Sequence, residues 1–520
     1  MSTEIMSTTI ERLNAALGPG QVVLDPAERA YFSQDYFASA APADAVITPG
    51  SIDALARAVG ILTADGVALY PRGGGYSYTD AYLPTRRPAV IVDTRGLKGI
   101  VEVNAADMYV TVEAGCTWRD LDARLEAEGL RTPFWGPLSG RYATVGGSIS
   151  HGAVSLGSAK YGPSADSVLG LQIIAADGSL ITTGSAGQPH HNPFFRSYGP
   201  DVTGLFCGDG GALGIKATVT LRLIKRPTHV DTMSFGFEKF ESLADGMAAA
   251  ARLGSITESM GMSLKALIKS TASTGLKDDL RVAAGIARSG GLIRALRIAL
   301  AGRRALHGAA PHTAHFALEA NSRRELKALA AEARRAIGAH GAEMINTVPT
   351  AMRAMPFATY DVIGLDGRRQ LPMHTILPYS RAVDFHRRFE ALMAAEADPM
   401  RALGVAYISV YAGVGGGGFL FEPVLLWNDV PEEFHRRHSR AEVLAKSTAT
   451  APNHAARTYV AELRGKIIDI MYACGGVHLQ IGKVYPHSRG RDGGAAALMR
   501  VIKQQMDPKG LMNPGALERL

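Results

Sequence analysis

Apolar positions in the first 230 residues recur at helical and at alternating spacings in turn. Residues 10–20 read as a short helix closed by Gly18-Pro19-Gly20. Residues 45–49 read as a strand ending at a turn, after which Ser51 caps a helix. Its apolar positions Ile52, Leu55, Val59 and Leu62 share one face, and Gly66 closes it. Residues 67–70 and 89–93 are predicted strands, and residues 109–114 alternate as a half-buried strand does. Thr117 caps a helix with Trp118, Leu121 and Leu125 on one face and Gly129 at its end. Residues 167–176 form a buried strand, Asp177-Gly178 a hairpin turn, 180–183 the returning strand, and 215–224 a further alternating strand.

The texture changes at Pro227. Helical spacing dominates 239–254, 291–306, 321–340 and 381–396, with strands around 311–318 and 404–427. One more amphipathic helix, 495–506, precedes a chain of turns over 507–515. A chain of 520 residues is too long for one core. The pattern therefore predicts an α+β domain with two sub-regions over 40–226 and a second domain starting near 228.

Composition adds exclusions. No stretch approaches the roughly 20 apolar residues of a membrane span. The N-terminus lacks the basic start and apolar run of a secretory signal, so a cytoplasmic protein is the expectation. Cys116, Cys207 and Cys474 are too few and too scattered for a disulfide framework or a cysteine zinc site. A net charge of +7 is mild for this length; it suits anionic ligands, and no nucleic-acid signature accompanies it.

The strand at 67–70 runs directly into Pro71-Arg72-Gly73-Gly74-Gly75-Tyr76-Ser77. Three glycines let several backbone N–H groups converge on one anion, Ser77 adds a hydroxyl and Arg72 a charge. The loop is neither a Walker A sequence nor a Gly-x-Gly-x-x-Gly turn opening a helix, and alone it reads equally well as a tight turn. It has a counterpart. Thr144-Val145-Gly146-Gly147-Ser148-Ile149-Ser150-His151-Gly152 reads as a second glycine-rich loop, followed by Gly157, Lys160-Tyr161-Gly162 and Asp166. Two such loops in one domain fit a large, extended, phosphate-bearing cofactor better than two unrelated turns.

With these motifs the chain resembles the FAD-binding family of vanillyl-alcohol oxidase, p-cresol methylhydroxylase and the D-lactate and glycolate dehydrogenases, nearest the last branch. In that family a Pro-x-x-Gly-Gly-x-Ser loop holds the FAD pyrophosphate, matched here by 71–77. The family's second loop is matched by 144–148, with Tyr161-Gly162 and Asp166 after it. The hydroxy-acid branch also carries segments like 201–206, 211–215, 498–503, 507–510 and Asn513-Pro514-Gly515. The resemblance is strong over 40–226 and good over 475–515, and loose over 230–470. It implies an N-terminal helical segment at 1–39 and a two-part FAD-binding domain of the vanillyl-alcohol oxidase type at 40–227. It further implies an α+β substrate domain at 228–475 and a C-terminal segment, 476–520, returning to the FAD domain. The implied cofactor is FAD, held by Pro71, Arg72, Gly73, Gly74, Gly75, Tyr76, Ser77, Thr144, Val145, Gly146, Gly147, Ser148, His151, Gly152, Tyr161, Gly162, Ile215 and Asn513.

The chain departs from the family at three places. Tyr76 stands where many relatives place a flavin-linked His, so FAD is expected to be non-covalent at this loop, with a bond from the second domain left open. The His-x-x-Asp-Gly-Asn-x-His stretch of the metal-using members is missing; the comparable region runs from Tyr407 to Gly418, and no metal site is expected. Near the C-terminus Val477-His478-Leu479-Gln480-Ile481-Gly482-Lys483 keeps the Gly-Lys and one His of the family segment, with altered spacing.

The implied activity is FAD-dependent removal of a hydride from the CH–OH group of a hydroxy acid or related alcohol. A phenol or aryl-alcohol oxidase is the second reading, and an FAD-binding protein without turnover the third. His478 is the candidate base, against a structural His. Lys483 and Arg489 are candidates to hold a substrate carboxylate, and Tyr485 and His487 share their polar stretch. Tyr407 and Tyr411 face one side of a strand and read as ligand contacts or core tyrosines. The expected partners are a small-molecule substrate and an electron acceptor (oxygen, a quinone or a cytochrome), and no nucleic acid. Over 281–306, Arg294, Arg297 and Arg304 share one helical face and Leu292, Leu296 and Leu300 another. Two readings stand: a solvated helix, or peripheral contact with the anionic inner face of a membrane.

Overall fold

Ser51 opens the helix Ile52–Ala64 by accepting a hydrogen bond from the Ala54 N–H at 3.2 Å. That helix connects the strand Ala45–Ile47 to the strand Ala68–Arg72, and both run parallel to Ala89–Asp93, which lies between them. Every residue of Ala89–Asp93 is buried, as a parallel strand covered on both faces requires. Five antiparallel strands form a second sheet, in the order Ile100–Asn104, Tyr109–Glu113, Ile215–Arg222, Val168–Ile174, Leu180–Thr182. Leu55, Val59 and Leu62 of the helix meet Leu69, Val90, Val92, Ile174, Ala217 and Met512 in one core. Burying each such large side chain stabilises by about 1.5–3 kcal/mol.

The computed structural model describes residues 2–263, 310–345, 348–357 and 361–517. They divide into two compact units. Unit 1 comprises Met1–Ala153, Ser164–Arg226 and Leu479–Leu520; unit 2 comprises Val154–Pro163 and Pro227–His478. The N-terminal helix runs over Ser2–Leu17, earlier than the residues 10–20 read from the sequence, and belongs to unit 1. The last segment of unit 1 lies along the edge strand Ala68–Arg72. The Leu69 N–H donates to the Leu511 carbonyl and the Asn513 N–H to the Leu69 carbonyl, at 2.9 and 2.8 Å. Lys503 of the helix Gly493–Met506 fastens it by reaching the Asp507 carboxylate and the carbonyls of Ala212 and Met512.

One segment departs from its expected conformation. Residues 144–152, read as a loop, contain the helix Val145–His151. The Thr144 hydroxyl accepts from the Gly147 N–H, Val145 and Ile149 are buried, and Gly152 ends the helix at φ +75°. Its glycines reflect close packing: a Cβ on Gly146 would stand 2.5 Å from the Ala114 Cβ.

Unit 2 is built on an antiparallel sheet. Its order is Ala342–Met344, His229–Phe237, His312–Ala320, Ile256–Ser263, Ala406–Val414, Gly418–Trp427, Arg369–Pro372, with Thr375–Pro378 also pairing to Gly418–Trp427. The helices Phe240–Arg252 and Tyr379–Ala395 cover one face, where Phe240, Phe385, Phe389, Tyr411, Phe419 and Phe421 form an aromatic core. A 20-residue helix, His454–Ala473, was not anticipated; its buried positions Val460, Leu463, Ile467 and Met471 keep helical spacing. The segment Val154–Pro163 carries the helix Ser158–Tyr161, whose Ser158 carbonyl accepts from the Gly415 N–H at 2.9 Å. Tyr161 and Gly162 thus belong to unit 2, whereas the sequence reading kept 40–227 in one domain. The basic stretch 281–306 lies outside the described residues.

Candidate functional site

The loop that follows Ala68–Arg72 is packed from behind. A Cβ on Gly73 would lie 2.3 Å from the Thr144 Oγ1, and one on Gly74 would lie 2.0 Å from the Tyr142 carbonyl oxygen. Gly75 adopts φ +78°, where only glycine is unstrained. The two glycine-rich segments therefore touch through atoms that leave no room for a side chain. The consequence is electronic as well as steric. Gly74, Gly75 and Ser77 are buried, and their backbone N–H groups donate to no acceptor among the described residues. Buried donors are nearly always paired, so three together mark a place shaped for an acceptor.

Side chains complete the loop. The Ser77 hydroxyl lies 3.1 Å from His151 Nε2, and Thr79 Oγ1 lies 3.4 Å from the same nitrogen. Burial pushes His151 down to about 4, so its ring is neutral at pH 7. Tyr76 stacks on Tyr142 at 5.0 Å with the rings 8° apart. Arg72 was expected to add a charge to the loop. Instead its guanidinium is buried behind Gly75, among the rings of Tyr31, Phe32 and Tyr82 at 5.3, 4.7 and 5.1 Å.

Several predicted residues act as struts. Gly211 packs against Pro71, with room for no Cβ. Ser148 accepts from the Trp118 indole N–H at 2.8 Å, and Ile215 joins the core. Asn513, fully buried at φ +43°, donates through its amide to the carbonyls of Ala81 and Gly210, while its Oδ1 has no partner among the described residues. The sequence reading missed Asp209 and Lys216, which form a fully buried ion pair; Asp209 also accepts from the N–H groups of Gly211 and Leu213. Its signal was an acid embedded in the glycine run Gly208-Asp209-Gly210-Gly211, ahead of a strand carrying a lysine. His151, Asp209, Gly210, Ile481 and Leu517 line a small pocket beside this loop.

The candidates for chemistry divide between the units. Lys483 belongs to unit 1: its Nζ donates to the Leu83 carbonyl at 2.6 Å and stands 4.6 Å from the Tyr70 ring centre. Its own N–H donates to the Thr79 carbonyl, and Gly482 beside it would clash with Thr79 if it bore a Cβ. Lys483 is thereby directed into the protein. Tyr485 is 3% exposed in the same unit, and Arg489 is exposed. His478 belongs to unit 2. Its Nδ1 lies 2.8 Å from the His374 carbonyl; a carbonyl only accepts, so Nδ1 carries the proton and Nε2 the lone pair. Burial pushes His478 down to about 4. Tyr411 sits buried in the aromatic core, whereas Tyr407 is half-buried, edge-on to Phe389, and donates to Glu390 at 2.7 Å. Among the described residues no group of three His, Cys, Asp or Glu side chains could hold a metal ion, and no helix is long and apolar enough to cross a membrane.

Residues 43–184 match the FAD binding domain, and residues 482–517 match the C-terminal domain of FAD linked oxidases. Glycolate oxidase subunit GlcD of Bacillus subtilis is 30% identical over 201 residues, 39% of this chain and 41% of the relative. The mitochondrial D-lactate dehydrogenase (cytochrome) 1 of Saccharomyces cerevisiae is 26% identical over 210 residues, 40% of this chain and 34% of the relative. The chain thus spans about two-fifths or less of the length of these curated relatives. In three dimensions it is similar to p-cresol methylhydroxylase with substrate bound, at a TM-score of 0.73 and 14% identity over 99% of this chain and 97% of the other. That likeness is one of fold. The similarity in sequence is thus to an FAD binding domain over 43–184 and to the C-terminal domain of FAD linked oxidases over 482–517, and the remainder is alike in fold alone. The sequence matches include glycolate and D-lactate enzymes, the branch that the motifs at 71–77, 144–148 and 513–515 resemble.

Proposed function

We propose that the chain is an FAD-dependent oxidoreductase that removes a hydride from the CH–OH carbon of a hydroxy acid or a related alcohol. The observation that carries this is the set of three buried, unpaired N–H donors at Gly74, Gly75 and Ser77, inside the segment matched to the FAD binding domain. They suit a pyrophosphate, and the orphaned Oδ1 of Asn513 suits a donor on the same cofactor. Gly73, Gly146 and Gly147 keep the surrounding backbone close, and Tyr76 in place of a histidine makes the attachment at this loop non-covalent. Bound FAD supplies a two-electron acceptor. The protein's part is to orient the alcohol, exclude water and receive the hydroxyl proton, for which His478, neutral with its proton on Nδ1, is the first candidate.

The substrate class follows from relatives named for glycolate and D-lactate. The phenol-oxidase reading has only fold likeness behind it. The electron acceptor is oxygen, a quinone or a cytochrome, and peripheral membrane contact through 281–306 belongs to the same reading. Anaerobic mixing of the FAD-loaded protein with glycolate, D-lactate and a 4-alkylphenol tests the chemistry: a hydroxy acid should bleach the oxidised flavin. Bleaching by the phenol alone would favour the second reading, and bleaching by none of them a binding protein without turnover. Sedimentation with anionic vesicles at low salt tests the membrane contact; protein left entirely in the supernatant would end that part.

A further inference from the structure

Arg72 ends the strand Ala68–Arg72, and its side chain turns back under the loop that the strand leads into. A Cβ on Gly75 would lie 2.3 Å from Nη2 and 2.7 Å from Cζ, so the guanidinium stands directly against that glycine. Arg72 is 1% exposed, and among the described residues none of its three nitrogens has a hydrogen-bond partner. Ring faces surround it instead: Tyr31 and Phe32, which end the helix Pro26–Phe32, and Tyr82, whose hydroxyl lies 2.9 Å from the Gly75 carbonyl oxygen. Its cross-strand partner Asp93 is engaged by Arg95, through Nε at 2.9 Å and Nη2 at 2.8 Å. Two guanidiniums thus stand beside one carboxylate, and a positive charge is left over. Arg353 of unit 2, by contrast, is met by both Glu258 and Glu319. Ring faces compensate a cation only in part. A cation withdrawn from water without an anionic partner is costly to hold. The N–H groups of Gly74, Gly75 and Ser77 are unmet in the same few residues, so every unmet group there is positive in sign.

We propose, resting on the FAD reading above, that the Arg72 guanidinium is the fixed counter-charge of the cofactor's pyrophosphate, acting through space from behind Gly75 and not by contact. The three N–H groups hold the anion, and Arg72 is a positioning residue that makes the place they define electrically positive. Enclosure by the rings keeps solvent ions from neutralising the charge, so it is left for the ligand to meet. Gly75 has no room for a side chain because the guanidinium fills the space behind it. The loop is therefore selective for a ligand with a compact double negative charge, and part of the stability of the loaded protein comes from closing this circuit of charge.

Titration of full-length apoprotein with FAD, at low and at high salt, compares the wild type with Arg72→Met, Arg72→Gln and Arg72→Lys. The two neutral variants should bind about 10–100-fold more weakly, by the same ratio at both salt levels, because an enclosed charge is hardly screened. Arg72→Lys keeps the charge and should bind within about tenfold of wild type. Inorganic pyrophosphate, which carries neither flavin nor adenosine, should raise the melting temperature of the wild-type apoprotein and leave those of the neutral variants where they are. A packing role for Arg72 would lower the melting temperature of each variant and keep the rise with pyrophosphate. A neutral variant that binds FAD within about threefold of wild type, or that keeps the pyrophosphate-induced rise, overturns the counter-charge alone. Arg72→Lys, folded but more than about tenfold weaker than wild type, overturns it even where the neutral variants do not fold. A wild type that binds neither FAD nor pyrophosphate overturns the cofactor reading and this proposal together.

Discussion

Gly74→Ala is the sharpest probe of the loop at 71–77. The new methyl would sit 2.0 Å from the Tyr142 carbonyl oxygen and 2.7 Å from its carbon, where ordinary contact begins near 3.4 Å. The obstacle is backbone, so no rotamer change relieves it, and the loop must retreat by roughly 1.4 Å. Overpacking of that kind costs about 1–3 kcal/mol of stability. The larger effect is on the ligand. A shift of that size moves the N–H groups of Gly74 and Gly75 out of hydrogen-bond range of any anion they hold. Each bond to a charged group contributes about 1.5–3 kcal/mol, so losing two corresponds to at least about 100-fold in affinity. Titration of apoprotein with FAD, followed by quenching of flavin fluorescence, measures this directly. Gly416→Ala is the matched control, since its methyl meets nothing within 4 Å. If Gly74→Ala binds FAD within about threefold of wild type, these donors do not hold the cofactor and the central argument for function fails.

Three further outcomes are expected. Gly465→Ala, at an exposed position of the helix His454–Ala473 with open space around it, should raise stability by about 0.5–1 kcal/mol in urea unfolding. Asp209→Asn should strand Lys216 as a buried unpaired cation and cost about 3–5 kcal/mol, whereas replacing both residues by apolar ones of similar volume should cost much less; thermal melts compare them. Acid should destabilise the protein: His151 and His478 titrate near 4 folded and near 6.5 unfolded, and His315 lies lower still. The unfolded chain binds protons first, so stability held above pH 6.5 falls as pH drops toward 4, by roughly 3 kcal/mol per histidine. Asp35 and Glu422, both pushed up to about 7, oppose this by gaining a proton in the folded state. A slope between pH 6.5 and 4.5 that His315→Gln leaves unchanged would refute the buried, neutral state of that ring.

Local chemistry was legible in the sequence where caps and periodicity agreed. Ser51, Thr117 and Gly66 marked helix ends that the structure has, and 109–114, 180–183 and 404–427 read correctly as strands. The helix Val145–His151 was missed because Gly146 and Gly147 resemble loop residues; the Thr144 cap and the buried Val145 and Ile149 outweigh their low propensity. The order of the unit 2 sheet could not be read, since register between strands far apart in the chain has no local signature. At the candidate site the glycines were recognisable, but their cause was not. Gly73 and Gly74 are small because Thr144 and Tyr142, some seventy residues away in the chain, occupy the space.

The excursion of Val154–Pro163 bears on how such a protein can be taken apart or recombined. The chain passes from one unit to the other after Ala153, Pro163, Arg226 and His478, so neither unit is a continuous stretch of sequence. A gene fragment ending at 226 carries the helix Ser158–Tyr161 without the strands it packs on, and one starting at 227 leaves Gly415 without the Ser158 carbonyl. Exchange of unit 2 with that of a relative would have to transplant 154–163 together with 227–478. A swap made at the obvious boundary alone would pair each new sheet with the wrong small helix.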